Sequence, residues 1–296
     1  MSARLLVTAA LLGASCLATN AMAQQPKAQQ PNGKGAASAD AVIRAAAARP
    51  TPRVKAGHAD LSGYWTTAIA RNPAPQVQQA TEVSADGKTI QLGIAAPQDV
   101  RAGEIGPVAQ RRAKNELRPP YKPEFAAKVL ELFDHANTMD PTARCAPPGV
   151  PRIGMPAEIV QTGDAVYLLY ATRNYFRIIP TDGRPHDADA DAMNMGDAIG
   201  RWEGNTLVVE SLNFNEDTWL DRDGTFHSTH MKVTERYTRR GDTLTYTATV
   251  EDPDVLTGPW SPPSQTLVLG KRGQHIAQDY PCIERDVDHY VNSNRH

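Results

Sequence analysis

Three residues carry the most direct chemical potential in this chain: His186, His227 and Glu235. An imidazole titrates near neutrality and can move a proton either way, and a carboxylate beside it can orient the ring or stabilise its charge. His227 with Glu235 is therefore the expected proton-carrying pair. His186 is the expected second acid or base, and Asp221 is a further catalytic carboxylate. Arg177 or Arg184 can bind a substrate carboxylate or stabilise an oxyanion, and Trp219 offers an aromatic substrate contact. A structural alternative exists for the same residues: His186 and His227 hydrogen-bond loops, and Glu235 pairs with an arginine inside the fold. Both readings stay open on sequence alone.

Other chemistries fit less well. His227-x-x-His230 with His186 or Asp221 has ligand types that suit zinc, but this spacing is common by chance and no metal is expected. Asp187, Asp189, Asp191 and Asp197 lack the glycine and closing glutamate of an EF-hand loop, so a solvated acidic loop is expected. Ser211 and Ser228 have no Gly-x-Ser-x-Gly setting. No glycine-rich phosphate loop appears, so no nucleotide cofactor is expected. Trp202, Trp219 and Trp260 either line an aromatic pocket or fill the core.

The elements that must position these residues read as mainly β. From residue 158 onward, short apolar-alternating runs are separated by turn residues. Expected strands cover 158–161, 165–170, 175–179, 199–202, 206–214, 231–238, 243–251, 264–269 and 274–279. In 231–238, Met231, Val233, Glu235 and Tyr237 share a face. If that face turns inward, Glu235 is buried, which is costly for a carboxylate unless it is paired. Pro123 and Glu124 open an expected helix, with Phe125, Val129, Leu132 and Phe133 at helical spacing. Residues 70–118 show no firm period. The chain opens its domain near His58 with Asp60-Leu61-Ser62-Gly63-Tyr64-Trp65. This resembles the Gly-x-Trp start of calycin-type barrels, such as lipocalins, where the Trp packs under the barrel. The expected fold is an antiparallel, lipocalin-like barrel with one N-terminal helix; the alternative is a β-sandwich.

The flanks set the context. Residues 1–23 read as a cleaved signal peptide: Arg4, an apolar run over 5–18, then Ala21-Met22-Ala23. That run is too short to span a bilayer, which takes roughly 20 helical residues. Residues 24–57 read as a flexible linker with a short helix over 38–48, residues 58–288 as one barrel domain, and 289–296 as a flexible tail. The expected location is periplasmic or secreted. Cys145 and Cys282 would remain after cleavage and are expected to pair in an oxidising compartment. Net charge is -2, which leaves no electrostatic footprint for nucleic acid.

A set of motifs in one order extends this reading. They are Asp60–Trp65, Cys145–Arg152, Asp182-Gly183-Arg184-Pro185-His186, Gly200–Val209, Thr218-Trp219-Leu220-Asp221, His227-Ser228 and Glu235-Arg236. Together they resemble a large group of exported bacterial proteins usually labelled hypothetical. The resemblance covers most of residues 60–285 and brings no established activity. Two positions depart from the group's pattern: Asn205 stands where it has Asp, and Phe226 where it has Pro.

The expected function is an exported enzyme using acid–base chemistry without a cofactor. It would act as a lyase, hydratase, isomerase or hydrolase on a small, partly apolar or aromatic molecule. The alternatives are a binding protein for a small apolar ligand and a structural envelope protein. Expected partners are a small-molecule ligand or substrate, with no nucleic acid and no membrane span. The sequence specifies no oligomeric state.

Overall fold

Alternation of burial along β9 (Lys232–Arg240) and β10 (Thr243–Glu251) organises the molecule. Every second residue of β9 is buried, from Val233 through Glu235 and Tyr237 to Arg239. Leu244, Tyr246, Ala248 and Val250 do the same on β10. The two strands pair antiparallel over their whole length, from Thr243 opposite Arg240 to Glu251 opposite Lys232. Gly241, at φ +57°, makes the turn, a backbone that costs glycine little and other residues more. The computed structural model describes residues 39–68, 80–83, 89–92, 118–135, 139–171 and 173–277. The expected signal peptide, the first part of the expected linker, Cys282 and the expected C-terminal tail lie outside these.

Nine strands form one antiparallel, nearly closed barrel. In chain order they are β1 (Gly63–Thr66), β4 (Glu158–Gln161), β5 (Ala165–Leu169), β6 (Phe176–Pro180), β7 (Asp197–Glu203), β8 (Thr206–Leu212), β9, β10 and β11 (Gln265–Leu269). β2 (Ala80–Val83) and β3 (Thr89–Leu92) form a separate two-stranded ladder. Within the barrel, β4 to β6 and β7 to β11 are two meanders. β1 joins them: Gly63 and Tyr64 pair with β4, while Trp65 and Thr66 pair with β11. β6 and β7 come alongside each other without a ladder. This closure is what distinguishes the barrel from the sandwich alternative.

The expected strand over 274–279 does not form in the described residues up to 277. The reason is the closure itself. β11 is already flanked by β10 and β1, so no free edge is left beside it. Residues 275 and 276 bond the Glu158 carboxylate instead.

Two apolar clusters fill the fold. The barrel interior holds Trp65, Ile159, Leu168, Ile179, Leu207, Tyr237, Leu244 and Tyr246 among others. Trp65 lies at its base, with its indole N–H donating to the Leu61 carbonyl at 3.0 Å and the Arg239 guanidinium 5.1 Å above the ring. The second cluster caps the end where β9 begins and β10 ends. It contains Val233, Val250, Trp219, Leu220, Phe226 and Trp260, with Val129 and Leu132 from helix α2 (Ala126–Asp134). Val129 and Leu132 are the buried face of the expected helix, which opens as a 3-10 turn over Pro123–Phe125; Phe133 is exposed. Helix α1 (Ala39–Ala47) meets the β10–β11 edge, where the Asp242 N–H donates to the Ala46 carbonyl at 3.0 Å.

Candidate functional site

Glu235 is fully buried and faces the interior, between Val209 of β8 and Ala248 of β10. Its carboxylate meets three side chains there. Arg177 of β6 brings its guanidinium to 2.6 Å, and the hydroxyls of Tyr237 and Tyr246 donate at 2.8 and 3.0 Å. Arg177 also donates to the Ser211 hydroxyl at 3.0 Å. Further hydrogen bonds support a buried ion pair: here the tyrosine hydroxyls both reach one Glu235 oxygen and Ser211 takes one Arg177 nitrogen, while Arg177 Nε has no hydrogen-bond partner among the described residues. Burial works against the Arg177 charge, yet Glu235 and the neighbouring tyrosines outweigh it and push the guanidinium well above its ordinary value. Burial, reinforced by the Glu235 charge, pushes the Tyr237 and Tyr246 hydroxyls well above theirs, so both stay protonated donors. Burial also raises Tyr170, another neighbour of Arg177.

His227 lies elsewhere, in the capping segment. Its Nε2 is 2.7 Å from the Thr218 hydroxyl and its Nδ1 is 3.0 Å from the Ser228 carbonyl. A carbonyl only accepts, so Nδ1 carries the proton and Nε2 accepts from Thr218. Burial lowers its pKa, which favours this neutral tautomer. Trp219 is buried in the same cap. Asp221 spends Oδ1 on the Asp223 N–H and the Thr225 hydroxyl, at 2.7 and 2.5 Å. Phe226 stacks on Tyr121 at 5.0 Å between ring centroids and forms part of the cap.

His186 is on a third site, outside the barrel. Its Nδ1 meets Asp197 at 2.7 Å and its Nε2 is 3.5 Å from Glu210. Arg184 chelates Asp182 on the surface. Asp187 accepts from the Asp189 N–H, so this acidic loop turns on its own side chains. His230 is exposed and pairs with Asp254 at 2.6 Å. Among the described residues, no three His, Cys, Asp or Glu side chains are gathered to hold a metal ion. No helix among them is long and apolar enough to cross a membrane.

Glu235 and Arg177 are thus brought together, while His186, His227, Asp221, Arg184 and Trp219 have their own separate partners. Cys145, in left-handed backbone at φ 63°, is disulfide-bonded. Its expected partner lies outside the described residues.

Two clefts open beside the capped end of the barrel and share Arg152 and Arg222. One, of about 410 Å³, is walled by Pro151, Leu220, Asp221, Tyr246, Trp260 and Pro263. The other, of about 390 Å³, is walled by Asp140, Thr142, Arg173 and Tyr175. Tyr246 is buried in the barrel core, borders the first cleft, and donates its hydroxyl to Glu235 inside. Tyr246, Arg152 and Arg222 were not among the site residues expected from the sequence. The signal for Tyr246 was available, since it shares the inward face of β10. The arginines sit in loops with no period to read.

Comparison with family models, curated proteins and solved structures gives no match for this chain.

Proposed function

We propose that the chain is an exported small-molecule-binding barrel, with its ligand in the cleft beside the capped end. The observation that carries this reading is Tyr246. It connects a cleft of about 410 Å³ to the buried Arg177–Glu235 pair. Ligand sites are concave, mostly apolar and furnished with a few fixed polar groups. Pro151, Leu220, Trp260 and Pro263 supply apolar wall, and Asp221 and Arg222 supply polar rim. Acid–base catalysis is the weaker reading. It would need His227, His186 and Glu235 within reach of one reacting atom, and each has separate partners instead.

The test is nuclear magnetic resonance titration with a panel of flat aromatic molecules of varied charge. At least one member should shift backbone amides around Leu220, Trp260 and Ser264. A panel without any such shift at millimolar concentration would overturn the reading. Turnover of a panel member that is lost in His227→Asn would restore the catalytic alternative.

A further inference from the structure

The two clefts meet at Arg222, and the other charges around it are already committed. Arg152 is locked on Asp140, donating to both carboxylate oxygens at 2.9 and 2.5 Å. Arg173 donates to the Thr142 carbonyl at 2.9 Å. The adjacent Asp221 carboxylate turns to the Asp223 N–H and the Thr225 hydroxyl. Arg222 is exposed, lines both clefts, and forms no hydrogen bond or ion pair among the described residues. Arg173 adds positive potential beside it, while Arg152 and Asp140 cancel each other as an ion pair. A guanidinium in this position presents donors in a fork that fits a planar oxyanion. The Trp260 and proline walls of the first cleft fit a flat apolar body attached to that anion.

We infer that the cleft takes an anionic ligand, a carboxylate or similar oxyanion on a flat apolar body, with Arg222 as its anion clamp. This rests on the binding reading above and names the ligand class for the same site. The neutral tautomer of His227 and the buried Glu235 take no part in it.

The experiment compares naphthoate with its neutral analogue naphthylmethanol, followed by tryptophan fluorescence and calorimetry on the full mature chain. Naphthoate should bind at least about tenfold more tightly, as expected for one charge-assisted hydrogen-bonded contact. Its affinity should fall with added salt. In Arg222→Gln the naphthoate and naphthylmethanol affinities should converge, and Arg222→Lys should restore only part of the difference between them. Arg222 is exposed, so these variants should keep the wild-type circular dichroism. Equal binding of both probes, or a naphthoate affinity untouched by Arg222→Gln, would overturn the anion clamp and leave the cleft as a binding site. No binding of either probe would overturn the cleft reading and the clamp together.

Discussion

The Arg177 guanidinium and the Glu235 carboxylate stand 2.6 Å apart across the inside of the barrel, both buried. One comes from the first meander and the other from the second, so the pair ties the two halves of the sheet. Glu235→Met or Arg177→Met alone should cost about 3–5 kcal/mol, because each leaves an unpaired charge in the interior. The double change to methionines should be milder than the sum of the singles. Urea denaturation of the three variants reads this directly.

Stability should fall on mild acidification through His227. Burial holds its folded pKa below the ordinary 6.5, so between the two values the unfolded chain binds more protons than the folded one. The folded state therefore loses stability as pH drops through about 6.5, and the loss levels off below the folded pKa. His230 has the opposite sign, since Asp254 raises its pKa. In a His230→Ala background, Tm should drop between about pH 6.5 and pH 5. Adding His227→Gln should flatten that drop. An unchanged slope would show that the ring does not titrate as described.

Gly241 fixes helix α1 to the barrel. A Cβ there would meet the Ala46 and Arg49 carbonyls at 2.5 and 2.6 Å, at φ +57°. Its N–H also donates to the Thr51 hydroxyl at 2.7 Å, which ties the turn to the segment after α1. Gly241→Ala should release α1 while leaving the barrel folded. Limited proteolysis near Arg49 should accelerate severalfold, with the near-ultraviolet circular dichroism of the core retained.

Arg239 should matter at the base as much as Trp65 does. It covers the Trp65 ring and donates to the Asp60 and Gly241 carbonyls. Arg239→Met keeps some of the stacking area but loses these charged donors, at a cost of about 2–3 kcal/mol. Hydrogen exchange should lose protection first at the N–H groups of Asp60 and Trp65.

The expected Cys145–Cys282 bridge is tested by peptide mapping without reduction. A loop of roughly 137 residues corresponds to about 4–5 kcal/mol in the chain-entropy account. Cys282→Ser should lower stability on that scale, and a reductant should do the same to the wild type. Recovery of Cys282 as a free thiol would reject the pairing.

The inward Glu235 was legible in the sequence because a strand's period of two assigns each residue to a face without any knowledge of its neighbours. Turn residues at 203–205 and 239–242 marked the hairpins of β7 with β8 and β9 with β10. What neither signal could supply was the partner across the barrel. Arg177 and Glu235 meet only after β6 and β9 are carried to opposite walls, a matter of closure rather than of local pattern. The separation of His227 from Glu235 was hidden for a related reason. The chemistry of an imidazole with an inward carboxylate suggested a pair, but His227 precedes the strand and turns into the cap toward Thr218. Asp252, which takes both the N–H and hydroxyl of Ser228, carried no signal at all before the fold was known. The clefts are legible only in three dimensions, since their walls come from loops far apart in the chain.

Strand β1 has only four residues, yet it alone joins the ends of the two meanders. All the other ladders of the barrel link strands that follow one another in the chain, so their contacts are local and quick to form. Bringing Trp65 to Leu269 closes a loop of about two hundred residues, whose entropy grows only with the logarithm of its length. From this topology two curved ribbons are expected to mature separately, with the short clasp fastened late and sealing the interior.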